Sequence, residues 1–303
     1  MGKTSRPVQS LHKVNATNIF PSLGRASQSI MFSVIMVVYN GIRFISEAFN
    51  SIVNQDFDSY ELVIIDGGST DGTLEFLKEN ERSITQLISE KDQGIYYAMN
   101  KGLQVSRGDY IVFINSDDYL LPGALKQLSQ EIAMIPFENR SRAMLCHAVK
   151  KVNFKGETLF ILRKDEVFFK RNMFYEMPVN HQGLFVHRNL FESLGFFDTS
   201  FRIAADYEFV IRAYFSGAAD LYFYNFAVSA MRTGGVSESI SFLFLRNMET
   251  LRIIRVYGNF SVRLFIMILV KFIIDFIVAI LKNILPNILI QKYHRLRHGA
   301  LNE

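Results

Sequence analysis

Three runs of β-branched and aromatic residues within the first 115 positions each stop abruptly in a polar loop. Phe32–Val38 closes on Tyr39-Asn40-Gly41. Tyr60–Ile65 closes on Asp66-Gly67-Gly68-Ser69-Thr70-Asp71-Gly72-Thr73, and Tyr110–Ile114 closes on Asn115-Ser116-Asp117-Asp118. Runs so short and so uniformly apolar match strands buried on both faces, which occur inside parallel sheets covered by helices. Helical patterns separate them: Arg43–Asn54, with Ile45, Phe49, Ile52 and Val53 on one face, Thr73 toward Asn80, and Ile95–Val105 after a short strand Thr85–Ser89. The alternation predicts an α/β fold with a mostly parallel sheet and helices on its faces. In such sheets ligands bind outside the carboxyl ends of the strands, so the three loops are where chemistry is expected.

The loop at 115–118 carries adjacent carboxylates without Cys or His beside them. Oxygen ligands of that kind suit Mg or Mn held partly by a substrate diphosphate. The same residues also read as a turn whose acids cap the helix starting near Pro122. The loop at 66–73 has the glycines for close backbone approach but no Lys after the last one, so it is not a Walker A loop, nor is it a dinucleotide fingerprint. Asp66 at its start is placed to accept from a base or ribose. Ser69, Thr70 and Asp71 also suit a turn that caps the next helix. Lys91 and Lys101 flank the strand ending on Asp117 and would serve a phosphate-bearing substrate, although surface lysines are ordinarily just solvated.

Composition narrows the remaining classes. A chain of 303 residues with 49% apolar residues holds one large catalytic domain and an appendage. The net charge of +4 comes from cations that crowd toward the C-terminus, which favours a membrane surface over nucleic acid. One cysteine, Cys146, leaves no internal disulfide and no multi-Cys metal site, and fits a reducing compartment such as the cytoplasm. Residues 1–30 show neither periodicity nor a signal-peptide apolar core, and read as a flexible tail.

Val38-Tyr39-Asn40, Asn54-Gln55, Val63–Thr73, Asp92-Gln93-Gly94, Asn100-Lys101-Gly102 and Asn115-Ser116-Asp117-Asp118 stand in the order and spacing of family 2 glycosyltransferases. From about Met31 to about Ser237 the chain resembles the bacterial members that build O-antigen, capsule or colanic-acid-type polysaccharides. The resemblance implies a GT-A fold, a nucleotide-sugar donor with a UDP-sugar expected, a divalent Mn or Mg ion, and an inverting single displacement. By the motif match Asp66 would hold the base with Tyr39 and Asn40 beside it, while Lys91, Asp92, Asn100, Lys101 and Ser116 would line the nucleotide-sugar site. Asn115-Ser116-Asp117 falls on the family's Asp-x-Asp motif, with Asp117 the principal metal ligand and Asp118 in reserve. Asn115 departs from the frequent acid there but still offers a carbonyl oxygen.

In the second half, 143–162 reads as two strands around Lys155-Gly156, where an acceptor would be accommodated, and Cys146 and His147 read as packing residues. Apolar residues recur at helical spacing from Asp206 to Ser216, which puts Asp206 in a first turn where the helix dipole favours its ionised form. The resemblance makes Asp206 the general base, with Glu208 the weaker candidate. It also brings His181, of the pair His181-Gln182, near the acceptor or diphosphate. Residues 232–237 read as a flexible glycine loop able to close over donor and metal, with Arg232 toward the diphosphate. The catalytic domain is expected to span 31–238.

Residues 239–303 read as a helical, membrane-associating region, in which Lys271, Asp275 and Lys282 fall in one narrow helical stripe; a soluble helical subdomain or dimer interface is the alternative. Val262–Leu281 is apolar apart from Arg263, Lys271 and Asp275, and its summed insertion energy is near balance, so an in-plane helix is favoured over a lone span. The basic tail 292–298 adds cations for anionic lipid. These features point to a lipid-linked saccharide acceptor at the cytoplasmic face of the inner membrane, with a homo-oligomer a further partner to consider. A nucleotidyltransferase would want a glycine-rich, Arg/Lys-containing loop after the first strand, which Tyr39-Asn40-Gly41 does not supply. A non-catalytic sugar-binding or scaffold protein would tolerate loss of Asp117 or Asp206.

Overall fold

The computed structural model describes residues 31–234, 240–258 and 262–281. The expected tail 1–30, the end of the glycine loop at 235–237 and the basic segment 292–298 lie outside the described residues. In chain order the elements begin β1 (Phe32–Val38), α1 (Ile45–Val53), β2 (Tyr60–Asp66), α2 (Thr73–Glu79), β3 (Gln86–Ser89), α3 (Ile95–Val105) and β4 (Tyr110–Asn115). This is the alternation the apolar runs predict. The strands pair in parallel in the order β3, β2, β1, β4.

Burial on both faces explains why those runs are continuous. In β4, Ile111 and Phe113 enter one apolar cluster while Tyr110, Val112 and Ile114 enter the other. Helices α1 and α2 cover the second cluster, and α3 covers the first.

The chain continues through β5 (Tyr119–Leu120), α4 (Ala124–Met134), α5 (Phe137–Arg140), β6 (Ala143–Val152), β7 (Thr158–Leu162), α6 (Glu166–Asn172), β8 (Leu184–His187), α7 (Arg188–Leu194), α8 (Ala205–Phe215) and β9 (Asp220–Arg232). Here the sheet is mixed. β8 runs antiparallel between β4 and β6, β7 is antiparallel to β6, and β9 lies parallel to β6 before meeting β5 antiparallel. The two strands expected in 143–162 are β6 and β7. The thirteen-residue β9 and its partner β5 were not anticipated.

Two helices close the described chain, α9 (Ile240–Tyr257) packed on α8, and α10 (Val262–Leu281) packed on α9. Among the described residues no helix is long and apolar enough to cross a membrane. α10 packs beside its neighbour α9, and Asp275 of its charged stripe turns toward that helix and not toward headgroups. Asp275 is buried and accepts from Lys271 at 2.8 Å and from Arg246 of α9 at 3.4 Å, so its charge is met inside the helix pair.

Candidate active site

The loops after β1 and β2 are tied into one surface by backbone donors. Asn40 N–H donates to Ser69 Oγ at 2.8 Å, Gly41 N–H to Thr73 Oγ1 at 3.0 Å, Ile42 N–H to Asp71 Oδ2 at 3.1 Å, and Thr70 N–H returns to Asn40 Oδ1 at 2.9 Å. Asn40 takes a positive φ of 51°, a conformation Asn tolerates better than most residues. Asp71 closes the turn ahead of α2, its Oδ1 accepting from Thr73 N–H and Oγ1, while the cap position itself is Gly72 and carries no side-chain cap, contrary to the expected capping. Tyr39 stands 67% exposed beside Gly67, a flat ring free to stack on a ligand. Gly41 meets the β4 loop so closely that a Cβ there would fall 2.7 Å from Ser116 Oγ. Three strand ends therefore form one rim.

Asp66 is fully buried, and its oxygens accept from Gly68 N–H, Ser69 N–H and Ser89 Oγ. Its demonstrable work is to shape the glycine loop. Lys91, exposed, backs onto Gly68, with no ion-pair partner among the described residues. Lys101 is different. Its Nζ lies 2.5 Å from Glu90 and 2.8 Å from Asp92, so the cation expected for phosphate is already neutralised by neighbouring acids. Asn100 also departs from expectation: its amide donates to Phe197 C=O at 3.0 Å and accepts from Phe197 N–H at 3.1 Å, fastening α3 to the loop before α8.

At the end of β4 the two acids separate in role. Asp117 is half-buried at the rim. Asp118 is buried, and both its oxygens are taken: Oδ1 by Arg232 N–H at 3.0 Å, Oδ2 by Gln182 Nε2 at 2.9 Å and Asn115 Nδ2 at 3.2 Å. Burial, and then the charge of Asp117, pushes Asp118 up to about 7. Asp118 is thus a tie between segments and no longer a reserve ligand.

The residues fit a divalent cation of limited protein coordination. Asn115 Oδ1 is buried with no hydrogen-bond partner among the described residues, and Asp117 follows two positions on in the same turn. No group of three His, Cys, Asp or Glu side chains forms a cage among those residues, so a cation there would complete its shell with diphosphate oxygens and water.

Asp206 opens α8 as expected. Tyr96 donates to its Oδ1 at 2.7 Å, and His181 Nδ1 lies 3.2 Å from its Oδ2. Burial acts to raise its pKa, but the contact and charge of His181, the Tyr96 hydroxyl and the Tyr207 N–H outweigh burial and hold it below the ordinary Asp value. Asp206 is therefore a carboxylate at neutral pH with 18% of its side chain exposed. His181 stacks on Phe113, and its Nε2 is buried without a hydrogen-bond partner among the described residues. A cavity of about 10 Å³ behind this pair is lined by Phe113, Phe197 and Phe209. It would hold one water at most, so a sugar must reach Asp206 from its exposed side.

The two acid centres are joined through adjacent residues of one 3₁₀ turn, His181–Gly183. His181 faces Asp206, and Gln182 holds Asp118. The turn itself is fixed: Asn180 Nδ2 donates to His147 C=O, Ser229 Oγ donates to Gln182 C=O, and a Cβ on Gly183 would fall 2.7 Å from His147 O. His147, which the sequence suggests only packs, bridges Glu131 Oε2 at 2.7 Å and Gly183 C=O at 3.3 Å.

Arg232 reaches Asp118 by its backbone and not by its guanidinium. The side chain is buried against Glu47, lies over the rings of Phe44 and Tyr119, and donates to the Asn153 and Phe154 carbonyls. It is committed to holding the β6–β7 turn, whereas the sequence suggested the diphosphate. Glu208 pairs with Arg212 and Tyr257, away from Asp206. The sequence did not single out Tyr96, whose partner lies 110 positions away.

The glycosyl transferase family 2 model matches residues 33–193, and the chain belongs to that family. It is 30% identical over 215 residues to the PGL/p-HBAD biosynthesis glycosyltransferase of Mycobacterium bovis, covering 69% of this chain and 80% of the relative. The Mycobacterium tuberculosis protein of the same description matches equally. Among solved structures, Staphylococcus aureus TarS 1–349 aligns at a TM-score of 0.55 with 21% identity, covering 82% of this chain and 71% of that one. TarS has been solved with UDP-GlcNAc. The mannosyltransferase PcManGT of Pyrobaculum calidifontis, in complex with GDP-Man and Mn2+, aligns at 0.54 with 20% identity, covering 80% and 69%. These structures share the GT-A fold with this chain.

Proposed function

We propose that this glycosyltransferase moves a sugar from a nucleotide-sugar donor, a UDP-sugar in our reading, to a saccharide hydroxyl with inversion at the anomeric carbon. The observation that carries the reading is the single 3₁₀ turn whose adjacent residues touch Asp206 and Asp118, which sets the base at a fixed register from the Asn115–Asp117 turn. Asp206, held ionised, takes the proton of the acceptor hydroxyl as its oxygen bonds to the anomeric carbon and the bond to the diphosphate breaks on the opposite face. Tyr96 and His181 fix the direction of that carboxylate. Tyr39 offers its ring to the base and Lys91 its charge to the phosphates. Asp117, with the Asn115 carbonyl, would hold Mg or Mn, whose chemistry is to neutralise the departing diphosphate. The ligands named for TarS and PcManGT support this donor class and cation. In our reading the acceptor is lipid-linked, at the cytoplasmic face of the membrane, and the product a bacterial surface glycan.

The test is diphosphate release from a panel of nucleotide sugars, with and without EDTA. We expect one donor to be turned over in the presence of acceptor lipids and EDTA to abolish it. Turnover that is indifferent to EDTA removes the cation from the proposal. Failure of every donor removes the transferase reading of this site.

A further inference from the structure

The helix pair α9–α10 is built with its polarity reversed. On α10, Ile266, Val270, Ile273, Ile274 and Ile277 are all 43% exposed or more, as are Phe244 and Met248 of α9. At ~100° per residue the exposed apolar positions of α10 cover about half its circumference, and Asp275 stands about opposite Ile266. The charged stripe faces α9, where Asp275 meets Lys271 and Arg246, and Ile268 is buried on that same side. Water would favour the opposite arrangement. A continuous apolar face left outward, with the charges paired inward, is the arrangement of a surface that meets a partner.

We propose that this face docks on an anionic lipid bilayer, with α10 lying along the interface and the helix pair as a whole acting as the amphipathic element. Charge selects this occupant over a second copy of the chain. The sequence following Leu281 carries Lys282, Lys292, Arg295 and Arg297 against one acid, Glu303, and α9 adds the exposed Arg255. Two positively charged copies would repel each other, whereas acidic headgroups attract these cations while the acyl boundary receives the isoleucines. With Asp275 paired inward to Lys271 and Arg246 and the apolar half of α10 turned outward, the contact is lateral. The inference deepens the lipid-linked acceptor reading by naming the surface that would bring the enzyme to it.

Sedimentation with phosphatidylcholine vesicles, alone and with phosphatidylglycerol, tests it without any sugar present, so its outcome does not depend on the transfer reading. The full chain should bind the phosphatidylglycerol vesicles about tenfold better or more, with loss of that preference at high salt. The combined Ile266→Ser, Val270→Ser, Ile273→Ser and Ile277→Ser variant should lose about tenfold or more on both vesicle types with an unchanged thermal transition. If that variant melts early, Ile273→Glu alone carries the comparison. Wild-type binding retained by the variant would assign the attraction to the basic tail and overturn the docking face. A wild-type chain that ignores vesicles overturns it too, as does a dimer in solution that the variant converts to monomer.

Discussion

Replacing Asp206 with Asn removes the proton acceptor while keeping the shape of the site. A positioned general base contributes about 10²–10⁴ in rate, or about 3–5 kcal/mol of barrier. The structure bounds the accompanying change in stability. The Tyr96 hydroxyl at 2.7 Å would still find an oxygen acceptor, but a neutral hydrogen bond replaces a charge-assisted one, a loss of about 1–2 kcal/mol. In a chain of this size that lowers Tm by roughly 2–8 °C, well short of unfolding at assay temperature. The donor rim is untouched, so the KM for nucleotide sugar should stay within about threefold. The assay is initial-rate transfer at saturating donor, with donor binding measured separately by calorimetry. Transfer above a tenth of the wild-type rate, with donor binding intact, would refute the assignment of the base.

Three further outcomes follow from the same geometry. Asp117→Asn should weaken the response to Mn by about tenfold or more, whereas Asp118→Asn should leave that response within about threefold and lower Tm instead, because Asp118 holds segments together; a titration of activity against Mn separates the two. Gln182→Leu removes the donor to Asp118 and should cost about 1–3 kcal/mol in urea unfolding and reduce kcat more than donor KM; an unchanged kcat would show that the turn does not set the base. His181→Asn removes the first of the groups that oppose burial at Asp206, so the acid limb of the kcat profile should move to higher pH. The linkage has the same sign. Asp206 is depressed in the folded state, so its contribution to stability is present above the ordinary value of 3.8 and is lost as pH falls through the folded value, and His181→Asn should shrink that contribution in thermal melts at pH 5–7.

The strands β1, β2 and β4 and the loops they end on were legible because burial on both faces writes a local, continuous signal. Asp206 was legible as the first turn of a periodic helix. The partner a polar side chain takes was not. Lys101 is quenched by Asp92 nine positions earlier, and Asn100 is held by Phe197 far along the chain, and neither pairing has a local signature. β9 escaped because its pairing with β6 is long-range and Asn225 interrupts its apolar run; the consecutive aromatics Tyr222, Phe223 and Tyr224, with Phe226, were the available signal. The stripe on α10 was legible as a stripe, but its direction depends on Arg246 of another helix.

The same helix bears on where the catalytic unit ends. Glu249 of α9 is buried and accepts from Arg202 N–H at 2.7 Å and Ile203 N–H at 3.1 Å, in the loop that delivers Asp206. Arg252 adds its guanidinium over Phe201, and Tyr257 donates to Glu208 on α8. Removing α9 would leave the Arg202 and Ile203 N–H groups without their acceptor Glu249, and buried Glu208 without the Tyr257 hydroxyl. The expected division at 238/239 therefore separates sequence compositions, while the support of Asp206 runs across it, so a change in how α9–α10 sits on its partner has a short path to the carboxylate that takes the proton.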